Sequence, residues 1–140
     1  MSACTFFGHK TCPFSLQESL IKEIENLIFS FDVTTFYVGN NGDFDYLVQL
    51  TLIKMERCYP FISWSVVLSN IDEHTISDSQ DRSVFSEELA CSPKRLRIYK
   101  RNEYMLKRSS YVISYLRSNF SNTEKWVNKA LDKGAFVISL

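Results

Sequence analysis

Five short apolar runs, at residues 3–7, 35–38, 63–68, 111–116 and 135–140, are separated by stretches whose apolar residues recur every three or four positions. Most of the runs are apolar on both faces rather than alternating, the pattern a strand needs when helices cover both sides of a parallel sheet. Between the first two runs Leu16, Leu20, Ile24, Leu27 and Phe31 keep helical spacing behind Ser15-x-x-Glu18, which has the form of a capping box. The next gap repeats the arrangement with Phe44, Val48, Leu52, Met55 and Tyr59. A third helix is predicted to begin at Ser92-Pro93 and run to about Arg108, with serine as cap and proline in the first turn, where its missing N–H costs nothing. A fourth, over 121–133, stops at Gly134, a residue suited to a left-handed C-terminal cap.

This alternation predicts one α/β domain over 1–140. It is Rossmann-like, a doubly wound parallel five-stranded sheet of order 3-2-1-4-5 with helices on both faces. The segment left over, about 71–91, carries Asp72, Glu73, Asp78, Asp81, Glu87 and Glu88 against a single Arg82, and reads as a solvated acidic insertion. In doubly wound sheets ligands bind beyond the carboxyl ends of the strands, where the first and fourth strands lie side by side and helix N-termini offer unpaired N–H groups. The segments that reach this edge are 8–14, 39–45, 69 onward and 117–124.

Composition narrows the function. The 140 residues are 45% hydrophobic, and sixteen Lys and Arg cancel sixteen Asp and Glu, which excludes global disorder and leaves no broad positive field for duplex nucleic acid. No apolar run approaches the roughly 20 residues a membrane span needs, and 1–10 lacks the regions of a signal peptide, so the expected location is the cytoplasm. Cys4, Cys12, Cys58 and Cys91 form no C-x-x-C pair, so free thiols are expected and no metal site is indicated.

Of only four glycines, Gly8 and Gly39 end the first two strands, Gly42 follows in the second loop, and Gly134 closes the last helix. Three therefore fall at the ligand edge, where a missing side chain lets backbone approach a ligand or simply completes a turn. Neither loop is a dinucleotide fingerprint and no P-loop occurs, so no cofactor is expected. His9 and Lys10 follow Gly8 at the head of the first crossover, where an imidazole can donate, accept or meet a phosphate. Asn40 lies in the second loop. Asp45, near the first turn of the second helix, suits either the helix dipole or a ribose hydroxyl. Tyr37, Phe44 and Phe120 are candidates to stack a base, although most of the aromatics must be core. The third helix is the most basic part of the chain. Its Arg97 and Arg101, four apart, can present two guanidiniums to a phosphate, and Asn102 can bond a ribose hydroxyl, a base edge or a backbone group.

The sequences Phe6-Phe7-Gly8-His9-Lys10, Phe36-Tyr37-Val38-Gly39-Asn40-Asn41-Gly42-Asp43-Phe44-Asp45 and Arg101-Asn102-x-x-Met105 together resemble a group of small bacterial proteins. That group belongs to the SLOG superfamily of Rossmann-like domains, which includes the LOG phosphoribohydrolases and DNA-processing protein A. The resemblance spans nearly the whole chain except the acidic insertion. It implies a nucleotide or nucleotide-derived, phosphorylated-ribose ligand, and self-association as a dimer through helices flanking the sheet.

LOG enzymes carry an arginine, a methionine four residues later, then a strand and P-G-G-x-G-T-x-x-E. On this chain the arginine falls on Arg101, the methionine on Met105, the threonine on Ser121 and the glutamate on Glu124, which by resemblance makes Arg101 and Glu124 the catalytic pair. The phosphate-cradling glycines, however, fall on Arg117, Ser118 and Phe120, so the backbone cradle is altered or lost. Ser121-x-x-Glu124 is also a capping box, in which the glutamate serves its own helix. Three readings stay open: a nucleotide-binding module, an N-glycosidase acting on nucleoside monophosphates, and single-strand DNA binding through the third helix.

Overall fold

The computed structural model describes residues 2–69, 83–117 and 122–140. Its strands are β1 (Ser2–Gly8), β2 (Val33–Val38), β3 (Ser63–Val67), β4 (Ser83–Val84), β5 (Tyr111–Tyr115) and β6 (Phe136–Ser139). The helices are α1 (Gln17–Phe31), α2 (Asp43–Cys58), α3 (Glu87–Ala90), α4 (Arg97–Lys107) and α5 (Asn122–Lys133). All strands pair in parallel, in the order β4-β3-β2-β1-β5-β6. This is the expected Rossmann-like α/β order with one correction: the sheet has six strands rather than five. The added strand, β4, lies within the segment read as a solvated acidic insertion, as does the short helix α3, whose Leu89 is fully buried. The strand pairs through Val66↔Ser83 and Val67↔Val84, and Val84 C=O accepts the Leu68 N–H at 2.8 Å.

Residues on the two faces of the strands explain the layers. Cys4, Phe6, Phe36, Val38, Trp64 and Val66 pack with Leu20, Ile24, Leu27, Val48 and Leu52 of α1 and α2. Phe7, Val67 and Val112 point the other way, into Met105, Leu106, Trp126 and Ala130 of α4 and α5. A continuous apolar run thus feeds two cores at once.

The helix starts depart from the sequence expectation in two places. Ser15 and Glu18 are both exposed and form no box; α1 is instead led in by a 3₁₀ turn, Phe14–Leu16, behind Pro13, with no side-chain cap on either piece. The predicted third helix likewise opens as a 3₁₀ turn, Lys94–Leu96, after Pro93 and becomes α-helical at Arg97. Gly134 ends α5 at φ +90° as expected, with Ala135 N–H donating to Ala130 C=O at 2.9 Å. Lys133 Nζ donates to the carbonyls of Leu106 and Ser109, tying the end of α5 to the end of α4, and its partial burial lowers its pKa. All four cysteines are free, as expected.

Candidate functional site

The chain runs outward from β1 through β2 and β3 to β4, then returns to lay β5 against the other side of β1. The switch point is therefore between the carboxyl ends of β1 and β5, where His9 N–H donates to Tyr115 C=O at 3.1 Å. A cavity of about 230 Å³ opens there. Its walls come from the end of β1 (Phe6, Phe7, Gly8, His9, Lys10), the α2 approach (Asn41, Asp45), α4 (Ile98, Arg101, Asn102, Met105) and the first turns of α5 (Asn122, Thr123, Trp126). Of the residues singled out from sequence, Gly8, His9, Lys10, Asp45, Arg101 and Asn102 meet in this one cavity.

Arg101 and Asp45 are its buried charged residues. Arg101 is 3% exposed, and its Nε and Nη2 both donate to Asn102 Oδ1, each at 3.3 Å. Its Nη1 is buried and has no hydrogen-bond partner among the described residues. Leaving such a donor unsatisfied costs about 1–3 kcal/mol, more for a charged group. Asp45 is 8% exposed, and its Oδ2 accepts the Asn41 N–H at 2.9 Å. Asp45 and Arg101 come together over Gly39. A Cβ built on that glycine would lie 2.8 Å from Asp45 Oδ2 and 3.1 Å from Arg101 Cζ. Gly39 thus lets the backbone of the second loop come close beneath both charged groups without touching the cavity itself.

His9 is half-buried, and its Nδ1 accepts the Thr11 N–H at 3.3 Å, so the neutral ring carries its proton on Nε2. Lys10 is exposed at the rim, and its carbonyl receives the Asp43 N–H at 2.6 Å. This locks the first loop to the start of α2. Gly42 makes the lock possible: its φ is +101°, and a Cβ there would lie 2.9 Å from Lys10 Cα.

Several expected positions fall elsewhere. Phe44 is not a platform for a base: it is 1% exposed, with its ring against Gly8 and near Tyr115, ring centroids 6.1 Å apart. Gly8 is accordingly small to admit that ring, not only to approach a ligand. Tyr37 packs against the core on the α4/α5 side. Arg97 is absent from the cavity lining; its Nε donates to Ser92 C=O at 3.2 Å and its guanidinium lies 5.8 Å from the Phe85 ring centre. Asn40 does not line the cavity either; Gln49 Nε2 donates to its Oδ1 at 3.2 Å, and the neighbouring Asn41 takes its place. Glu124 is half-buried on the first turn of α5 and is not among the lining residues. Ser121 and Phe120 lie outside the described residues, so the second capping box does too.

Sequence reasoning missed Gln49, Asn41, Asn122 and Thr123. Gln49 is buried on α2 one turn after Asp45 and donates to Gly39 C=O at 3.0 Å as well as to Asn40, bracing the loop that carries Asn41. Its signal was present: a polar residue within the apolar stripe of a helix needs a partner. Cys12, beside this region, has its thiol pKa raised by burial and then by the carboxylates of Asp43 and Asp45.

Among the described residues no cluster of His, Cys, Asp and Glu is arranged to hold a metal ion, and no helix is long and apolar enough to cross a membrane. The chain matches no known protein-family profile and no curated protein.

Proposed function

We propose that the protein is a binding module for a nucleotide or nucleotide-derived, phosphorylated-ribose compound, seated in the cavity at the β1/β5 switch point. The observation that carries this reading is the buried guanidinium of Arg101, a residue of that cavity's lining, bonded to Asn102 through Nε and Nη2 and with no partner for Nη1 among the described residues. A fixed, dehydrated guanidinium is suited to an anionic oxygen. Asp45, Asn41, Thr123 and His9 around it supply acceptors and donors for hydroxyl groups. The resemblance of the Gly8-His9-Lys10, Gly39–Asp45 and Arg101-Asn102 motifs to the SLOG superfamily supports the same ligand class.

Thermal-shift and calorimetric titration with nucleoside monophosphates, ADP-ribose and cyclic nucleotides tests the proposal. Saturable binding of at least one of these is expected. It should weaken by about 10- to 100-fold in Arg101→Met, the value of a charge-assisted hydrogen bond, with Arg101→Lys intermediate. Circular dichroism on each variant establishes that it is folded. No binding of any of these compounds to the wild-type chain refutes the proposal. Because Glu124 does not line the cavity, binding is favoured over glycosidic cleavage. Release of free base from a nucleoside monophosphate by the purified protein, lost in Glu124→Gln, would reverse that preference.

A further inference from the structure

We infer that the outer edge of β6 is a self-association surface: two copies of this chain join β6 to β6, antiparallel across a two-fold axis at Ile138, and so continue one sheet through both molecules. Among the described residues β6 pairs on one side only, with β5. Phe136 N–H donates to Ser110 C=O at 2.9 Å and Leu140 N–H to Ser114 C=O at 2.8 Å, so the even-numbered residues of the strand turn their backbone groups toward β5. Those of Val137 and Ser139 therefore face outward.

An exposed ladder of this kind is a template for another strand, and proteins that keep an edge single blunt it with charged side chains or proline. From Ala135 to Leu140 the chain has neither. The cation just before the strand, Lys133, is bonded to the carbonyls of Leu106 and Ser109. A strand without charge meets a copy of itself with no like-charge repulsion.

The side chains on one face of the strand favour the same occupant. Phe136, Ile138 and Leu140 alternate onto the α1/α2 side of the sheet, where Ile138 and Leu140 are only partly buried and Phe136 is 55% exposed. Phe31 at the end of α1, itself 42% exposed, has its ring centre 6.0 Å from that of Phe136 and 5.7 Å from that of Tyr111. An apolar corner thus adjoins the outward ladder. With the axis at Ile138, Val137 stands opposite Ser139 of the second copy, and the two exchange N–H and C=O. The same register sets Ile138 against Ile138 and Phe136 against Leu140, apolar cross-strand pairs of the kind that stabilise a sheet. Because the contact is isologous, this one strand supplies both halves of the match.

Sedimentation equilibrium of the wild-type chain is expected to show a reversible monomer–dimer equilibrium, with the dimer predominant at about 100 μM. Ser139→Pro removes an outward N–H and no bond to β5, while Phe136→Lys gives the edge a charge. Each should raise the dimer Kd by about tenfold or more, with circular dichroism confirming the fold. Phe61→Lys, at a comparably exposed aromatic before β3, should leave the Kd unchanged. Hydrogen exchange followed by NMR on the wild type needs no variant: the Val137 and Ser139 amides should gain protection as concentration rises, while those of Ile138 and Leu140 are protected throughout. A wild-type chain that stays monomeric at about 100 μM overturns the inference. So does a dimer that Ser139→Pro leaves intact or that Phe61→Lys disperses, which puts the contact on another surface. Val137 and Ser139 amides that exchange freely where the dimer is populated overturn it too, whatever the variants do.

Discussion

Replacing Gly8 by alanine probes how the first strand meets the second helix. A Cβ at that position would lie 2.1 Å from Cδ2 of Phe44, 2.2 Å from Cγ and 2.7 Å from Cε2. These are ring atoms close to the backbone of α2, not the far end of a flexible chain, and the ring is among the largest fully buried groups in the protein. Relief requires the ring and the start of α2 to move together. Overpacking of this kind costs about 1–3 kcal/mol. For a domain of this size that corresponds to a Tm lower by about 3–4 °C per kcal/mol, measurable by scanning calorimetry. Phe44→Leu alone costs about 1–2 kcal/mol, because a smaller side chain leaves space behind. In the double variant the leucine gives the new methyl room, so the combined loss should fall short of the sum by about 1 kcal/mol or more. Strict additivity, or a Gly8→Ala protein that melts with the wild type, would refute the contact between strand end and ring.

Gly42→Ala should be more damaging than Gly134→Ala, although both glycines have positive φ. The first adds a clash with Lys10 Cα at 2.9 Å, while the second faces open space and bears only the left-handed cost of about 1–2 kcal/mol. Urea titrations that rank them the other way contradict the docked first loop. Cys12 should be alkylated near pH 8 more slowly than the exposed Cys58 and Cys91, and Asp43→Asn should speed it, since burial and the nearby carboxylates raise its pKa. Peptide mass spectrometry reads the rates, and an unchanged Cys12 rate in Asp43→Asn would contradict that electrostatic origin. Tyr59 O–H donates to Glu25 Oε2 at 2.6 Å, and this bond, then burial, raises its pKa above the usual 10.0. A tyrosine whose folded pKa is raised contributes stability below its unfolded value and loses it as pH climbs through the folded one. Glu25→Gln should therefore ionise Tyr59 at lower pH by ultraviolet titration, and the difference in Tm from wild type should shrink above about pH 10. A gap that widens there reverses the sign and the reasoning.

What could be read from sequence, and what could not, follows from the range of each signal. Apolar runs flanked by helical periodicity are local, and they carried the strand order, the two layers of helices and the switch point. From the switch point came the convergence of His9, Asp45 and Arg101 in one cavity. A two-residue strand has no period, so Ser83–Val84 was hidden among acids; its identity comes from the open edge of β3 that it covers. Asn40 and Asn41 differ by one position in a loop; Gln49 bonds the first and Asp45 takes the N–H of the second, and it is Asn41 that lines the cavity. Arg97 and Arg101 share a helix face, yet the Ser92 carbonyl and the Phe85 ring engage one guanidinium and leave the other to the site.

The glycines at the ligand edge carry the larger lesson. A glycine beside a predicted crevice invites the conclusion that backbone touches ligand there. Gly8 is small because of Phe44 and Gly39 because of Asp45 and Arg101, while Gly42 permits the close approach of Lys10. Gly39 and Gly42 act on the cavity at one remove, by setting where a charge or a loop can stand, while Gly8, itself in the lining, also sets where a ring can stand. The missing phosphate-cradling glycines at 117–120 are therefore weaker evidence against a phosphate ligand than pattern matching suggests. Under the proposed function, the buried Arg101 guanidinium is the donor that stands in for the backbone of a glycine-rich turn.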